Sequence, residues 1–392
     1  MEILDSRGKP TLEVEIKTQT NTARASVPSG ASTGIHEAKE LRDHQKRYLG
    51  MGVLKAVHNV KKIERLLQGK SCKNQLEIDR ILQKKKETYG ANATLAVSLA
   101  CARAAAGNKP LYLHLQKITK TKNKLPRAFF NILNGGKHAD NKLSIQEFMI
   151  SPNLPTFKKN LQAASEIYHT LKKDLHKKFG QGSTNIGDEG GFAPVQLSSS
   201  TQALKLLKIA INHAGYKGKC DIGIDCAASE FYKEGKYNLD GKKLSTDQLT
   251  KYYLKLISKF PIISMEDPFH QEDFDAFADL KAKTNIQIVG DDLTVTNPER
   301  IQKAILANAC NCLLLKVNQI GTLTEALQAA QLAIMNNWNI MVSHRSGETT
   351  DTFIADLAVA LGSQIKAGAP CRGERTAKYN QLLRIEKQLR KY

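Results

Sequence analysis

Ile262-Ile263-Ser264-Met265-Glu266, then Ile286-Gln287-Ile288-Val289-Gly290-Asp291, then Cys312-Leu313-Leu314-Leu315-Lys316: within residues 262–316 a short apolar run recurs three times, each time closing on an ionisable side chain. Runs of this length, rich in aliphatic residues, read as buried strands, and the stretches between them read as amphipathic helices. That is the βα unit of a parallel sheet. Working outward, further strands are read at residues 128–133, 145–150 and 221–225 upstream and at 340–344 and 363–366 downstream. Eight such strands fit a (β/α)8 barrel, which takes about 250 residues. The loop between the first two strands is too tight for a right-handed helical crossover, so the second strand is expected to run antiparallel.

The later strands finish on Asp225, Glu266, Asp291, Lys316, His344 and Lys366, with separations of 41, 25, 25, 28 and 22 residues. In a barrel these positions share the C-terminal mouth, where chemistry gathers. A single charged strand end is an ordinary helix cap or loop start, whereas six on one rim point to a site. Asp225, Glu266 and Asp291 offer three carboxylates and no thiolate, a donor set for a hard divalent cation with Mg²⁺ as first choice. Cys226 follows Asp225 on the opposite face of its strand, which argues against zinc. Lys316, Lys366, His344 and Arg345 beside those acids imply an anionic substrate carrying a carboxylate and a phosphate. Gly187-Asp188-Glu189-Gly190-Gly191-Phe192 adds an acid pair between glycines that permit close backbone approach, although alone it also reads as an Asx-type turn. Gly135-Gly136-Lys137-His138 and Gln146-Glu147 bracket the first two strands. Asp267 and Asp292 directly follow ligand candidates and are expected to face away from the cation.

Ahead of the barrel, Thr11-Leu12-Glu13-Val14-Glu15-Ile16 alternates like a half-buried strand, and residues 23–27 read as its hairpin partner. Residues 28–34 form a small-residue loop. From 53 to 107 the period is helical, with Leu54, Val57, Ile63 and Leu66 spaced for one face. The expected organisation is an α+β N-terminal domain over residues 1–117, a polar, cationic linker over 118–126 and the barrel over 127–392. The most apolar stretch, 90–107, is interrupted by Asn92, Ser98 and Arg103 and reads as a core helix, with no membrane insertion expected.

With 392 residues, 41% hydrophobic and 24% charged, the composition excludes disordered, collagen-like and disulfide-stapled classes. The seven cysteines form no C-x-x-C pair and read as packing residues of a reducing cytoplasm, with Cys310 and Cys312 on one strand face. No signal peptide is read at the start, so a cytoplasmic location is expected. The net charge is +20, and residues 1–125 carry 24 basic against 11 acidic side chains. Such a field attracts RNA or acidic partners non-specifically, while solvated lysine-rich helix faces are the blander reading. No aromatic-interleaved basic stripe sharpens the nucleic-acid reading.

The motifs in order resemble the enolase family. They are Leu4-Asp5-Ser6-Arg7-Gly8, Ser29-Gly30-Ala31-Ser32-Thr33-Gly34, Asn134-Gly135-Gly136-Lys137-His138-Ala139, Gln146-Glu147-Phe148-Met149-Ile150 and Gly187-Asp188-Glu189-Gly190-Gly191-Phe192. They continue through Glu266-Asp267-Pro268-Phe269, Gly290-Asp291-Asp292-Leu293, Leu315-Lys316-Val317-Asn318-Gln319, Ser343-His344-Arg345-Ser346-Gly347-Glu348-Thr349 and Ile365-Lys366. The pattern departs at Thr350, where an acid is usual, and at Gly373, where a serine usually precedes Glu374-Arg375.

The resemblance implies a cytoplasmic, glycolytic and gluconeogenic lyase that reversibly dehydrates 2-phospho-D-glycerate to phosphoenolpyruvate through a metal-stabilised enediolate, with two Mg²⁺ per site. By resemblance Asp225, Glu266 and Asp291 hold one metal, and Ser32 on a closing loop helps hold the second. Lys316 is then the base at C2 and Glu189 the acid at the C3 hydroxyl. Arg345 and Ser346 would take the phosphate and Lys366 the carboxylate, while His138, Gln146, Glu147 and His344 line the pocket. A homodimer or higher homo-oligomer is implied, as is secondary display at the cell surface. To act, Lys316 must be neutral, and nearby Mg²⁺ and Lys366 are expected to lower its pKa. Glu189 needs a proton, and Glu147 is expected to raise its pKa. The alternatives are a related enzyme acting on another carboxylate and a fold-retaining RNA- or surface-binding protein that uses the basic N-terminal domain.

Overall fold

The computed structural model describes residues 1–31 and 34–390, so Ser32 lies outside the described residues. The chain enters as a three-stranded antiparallel sheet, β1 (Glu2–Leu4), β2 (Pro10–Lys17) and β3 (Thr22–Ser26), in the order β1-β2-β3. The β2–β3 hairpin matches the alternation in the sequence, whereas β1 is too short to show a period. Helices α1 (Leu54–Leu67), α2 (Gln75–Gln83), the single turn α3 (Lys86–Tyr89), α4 (Ala91–Ala106) and α5 (Leu111–Thr119) follow. Small side chains let α4 lie against β2 and β3 and bury nearly its whole circumference. No described helix is long and apolar enough to cross a membrane. Helix α5 extends through Thr119, into the first residues of the expected linker.

The second half alternates strands and helices: β4 (Arg127–Asn134), β5 (Glu147–Pro152), α6 (Phe157–Phe179), α7 (Ser200–His213) and β6 (Cys220–Asp225). A small antiparallel sheet that the sequence did not announce comes next, β7 (Tyr232–Lys233), β8 (Lys236–Leu239) and β9 (Lys242–Leu244). Then come α8 (Thr246–Lys259), β10 (Ile262–Glu266), α9 (Phe274–Ala282), β11 (Gln287–Gly290) and α10 (Pro298–Leu306). The chain finishes with β12 (Cys312–Leu315), the short α11 (Val317–Ile320), α12 (Leu323–Met335), β13 (Asn339–Ser343), α13 (Phe353–Leu361), β14 (Gln364–Lys366) and α14 (Gly373–Leu389). Eight strands close a barrel in the order β10-β11-β12-β13-β14-β4-β5-β6. Strand β5 is antiparallel to both β4 and β6, and every other neighbouring pair in the barrel is parallel. The expected fold class, a barrel with an antiparallel second strand behind an α+β domain, is the observed one.

Two features position the mouth. Phe129, Met149, Val289, Cys312, Leu314 and Met341 fill the barrel interior as a buried apolar plug. One pleat nearer the mouth, on the same inward face, stand Asn131, Glu147, Asp291, Lys316 and Ser343. Cys312 belongs to this plug, whereas Cys310 precedes the strand and packs in the outer core. The two cysteines therefore do not share a face, because Cys310 lies in the turn before strand pleating begins. The second feature is the contact between domains: Ser29 and Gly347 exchange backbone hydrogen bonds of 2.8 and 2.9 Å, bringing Ser29 to the barrel rim. Asp79 of α2 adds a latch by accepting from the Thr324 backbone N–H at 2.8 Å and its hydroxyl at 2.6 Å, at the start of α12.

Candidate active site

The side chains at the strand ends meet in one cavity lined by His138, Gln146, Glu147, Glu189, Asp225, Lys316, Ser343, His344, Arg345, Ser346 and Lys366. Lys366 ends β14 at its centre. Its ammonium lies 3.3 Å from Glu147 Oε1, 3.3 Å from Asp225 Oδ2 and 2.9 Å from Glu266 Oε1. Burial works against that charge, yet Glu147, Glu266 and Asp225 together hold the Lys366 pKa well above the ordinary lysine value. Gln146 donates to Asp225 Oδ2 at 3.3 Å, and the Ala227 N–H to Oδ1 at 2.9 Å.

On the next side of the rim Lys316 Nζ lies 2.5 Å from Asp291 Oδ2, and Gln319 donates to Asp291 Oδ1 at 2.8 Å. Burial alone would lower the Lys316 pKa, but Asp291 raises it on balance. Lys366 acts in the expected direction, lowering it, but the Asp291 carboxylate in direct contact outweighs it, and the lowering expected from Mg²⁺ depends on the bound ion. Asp267 and Asp292, expected to face away from the cation, stand beside Asp291. Asp267 takes a positive φ of 40° straight after β10, and its carboxylate accepts from the N–H groups of Asp291 (3.0 Å) and Asp292 (2.6 Å). Carboxylate oxygens of Asp267, Asp291 and Asp292 gather within 4.8 Å of one another, and the Asp292 pKa is pushed up to about 8 by burial and by Asp291.

The third side holds Glu189. Asn131 donates to its Oε2 at 3.0 Å, His344 Nε2 faces the same oxygen at 3.3 Å, and His138 Nδ1 is 3.5 Å from Oε1 and 3.6 Å from Glu147 Oε1. His138 Nε2 in turn meets the Ser346 hydroxyl at 3.2 Å. The loop 187–191 reaches this position because Gly187 and Gly191 leave space: a Cβ would lie 2.3 Å from the His138 carbonyl oxygen at the first and 2.5 Å from Asn134 Oδ1 at the second. Burial would raise both carboxyls of the Glu147–Glu189 pair. Glu147, with Glu189 opposite it, is pushed well above the usual range. Glu189, faced by His138 and His344, is held well below it. The two carboxyls are thus pushed in opposite directions, Glu147 up by burial and by Glu189, and Glu189 down by the imidazoles that converge on it.

Arg345 is buried and pairs bidentately with Glu37, at 2.9 and 3.1 Å, with Asn318 Oδ1 accepting at 2.9 Å. Glu37 carried no motif in the sequence. Arg375, quoted only within Glu374-Arg375 and given no role there, has its guanidinium fully buried behind the cavity, where it binds the loops at 188 and 344–346 together. Their signal was their adjacency to quoted motifs, since partner choice depends on tertiary contacts far apart in sequence.

The rim is chemically suited to divalent cations. Glu147, Asp225, Glu266, Asp267, Asp291 and Asp292 are all buried, and Lys316 and Lys366 are the ammonium groups paired with them. Glu147 Oε2 and Gln146 Oε1 are buried without a hydrogen-bond partner. An excess of oxygen donors over cations, with no cysteine among them, is a set that a hard divalent ion would neutralise.

Residues 1–115 match the family model described as Enolase, N-terminal domain, and residues 122–392 match the one described as Enolase, C-terminal TIM barrel domain. Both matches agree with the two-part architecture, a mixed N-terminal domain followed by a closed barrel, and the chain belongs to the enolase family.

Proposed function

We propose that this chain is a phosphopyruvate hydratase, which takes water reversibly from 2-phospho-D-glycerate to give phosphoenolpyruvate. The observation that carries the reading is that a lysine and an acid pair, Lys316 and Glu147–Glu189, line one cavity together with Lys366, Arg345 and Ser346. Asp225, Glu266 and Asp291 would hold a divalent cation, with Mg²⁺ the ion their oxygens suit. Ser32 is assigned to a second ion by family resemblance alone. When bound, these ions supply positive charge against the charge that develops on the substrate carboxylate.

The chain's own groups divide the remaining work. Lys366 meets the carboxylate, while Arg345 and Ser346 take the phosphate. Lys316 removes the C2 proton, which requires that its ammonium first lose a proton to solvent and release its contact with Asp291. Glu189 protonates the departing C3 hydroxyl, so it must carry a proton when the substrate is bound. His138 and His344 orient Glu189. The test is deuterium incorporation at C2 of 2-phosphoglycerate in D₂O with Mg²⁺. Exchange should vanish in Lys316→Ala and persist in Glu189→Gln, where elimination is lost. Exchange surviving in Lys316→Ala would refute Lys316 as the base.

A further inference from the structure

Arg375 sits in the first turn of α14, where the helix dipole disfavours a cation, and its side chain is fully buried. Something other than helix stability explains it there. Its Nη1 lies 2.6 Å from His344 Nδ1 and donates to the Arg345 carbonyl at 2.7 Å, while Nη2 donates to the carbonyls of Asp188 (3.0 Å) and Ser346 (2.5 Å). Gly368 makes room for the stem, since a Cβ there would lie 2.7 Å from Arg375 Cδ. A guanidinium has donors only and stays protonated, so the His344 Nδ1 that it meets must be an acceptor. In a neutral imidazole the proton is then on Nε2, the nitrogen that faces Glu189 Oε2 at 3.3 Å. We propose that Arg375 is a positioning residue that fixes His344 as the Nε2–H tautomer, so that the imidazole presents a donor to Glu189. The opposite tautomer would set a lone pair against the Glu189 carboxylate and a proton against a cation. Burial agrees with a neutral ring, lowering the His344 pKa to about 3. The same guanidinium holds the backbone on both sides of the cavity, so one side chain sets both the tautomer and the spacing of His344 from Glu189.

The kinetic part of the test rests on the proposed dehydration; the spectroscopic part does not. Histidine-selective ¹⁵N labelling of the full chain, with the His344 signals assigned by their loss in His344→Gln, reads the tautomer directly. Wild type should show a protonated Nε2 and a bare Nδ1 from pH 6 to 8. Arg375→Met should shift His344 towards the other tautomer and lower kcat by about 10–100-fold with a smaller change in KM, the scale on which groups behind a reactive side chain act. Arg375→Lys, which keeps a donor, should retain the wild-type tautomer and recover part of kcat. A protonated Nδ1 in wild type would overturn the proposal even if Arg375→Met does not fold, as would an unchanged tautomer in folded Arg375→Met. Wild type with the Nε2–H tautomer but no turnover would sink the enzyme reading and leave this one standing.

Discussion

Lys316 and Glu189 stand on different sides of one cavity, each beside partners that push against its working protonation state: Asp291 raises the lysine's pKa, and His138 and His344 lower that of the glutamate. Replacing either should cost about 10²–10⁴-fold in kcat, the usual contribution of a positioned base or acid, as steady-state kinetics would show. Loss of less than tenfold in both would remove them from the chemistry. A buried acid away from the mouth gives a second residue-scale expectation. Asp356 of α13 accepts from the Tyr112 N–H at 3.2 Å and from Gln381 at 3.1 Å, and burial pushes its pKa up to about 6. A carboxyl whose folded pKa is raised contributes stability fully below its unfolded value of about 4, and that contribution is lost as pH rises through 6. Asp356→Asn should therefore gain on wild type by up to about 3 kcal/mol between pH 4 and 7.5 in denaturant titrations. A difference between the two proteins that does not vary with pH would contradict this.

At the scale of elements, the site stands on the barrel plug and on the latch between domains. Met341→Ala should destabilise by about 2–5 kcal/mol through the cavity it leaves, measured by urea unfolding. A cost below 1 kcal/mol would mean that the interior is not packed as described. Asp79→Ala should cost about 1–3 kcal/mol by leaving the start of α12 without its acceptor across the domain boundary. The barrel strands themselves were legible because each combines an apolar run with an ionisable end, and β5 was legible as antiparallel from loop length alone. What could not be read was decided by backbone turns and distant partners. Asp267 swings back through a positive φ, Cys310 lies outside β12, and the strands β7, β8 and β9 are too short to establish a period, even though Tyr237 and Leu239 of β8 alternate inward. The imidazoles that face Glu189 and Glu147 arrive from the loops after β4 and β13, so the sequence alone does not show their approach to these carboxylates.

Across the whole molecule, the acids at the mouth and the excess of positive charge elsewhere lead to different expectations. Mg²⁺ should raise the unfolding temperature and chelator should lower it, because an ion that binds the folded rim stabilises by about 2.7 kcal/mol at one hundred times its Kd. Exchange of Asp225 for Asn should remove most of that gain. Any RNA association driven by the net charge of +20 should fall steeply with salt, and a salt-insensitive affinity would rule out that electrostatic reading. The central claim is tested most directly by phosphoenolpyruvate formation from 2-phosphoglycerate, comparing Mg²⁺, chelator and Lys316→Ala on folded protein. Turnover that needs the metal and disappears in the variant is the predicted result; no turnover by folded, Mg²⁺-loaded wild type would contradict it.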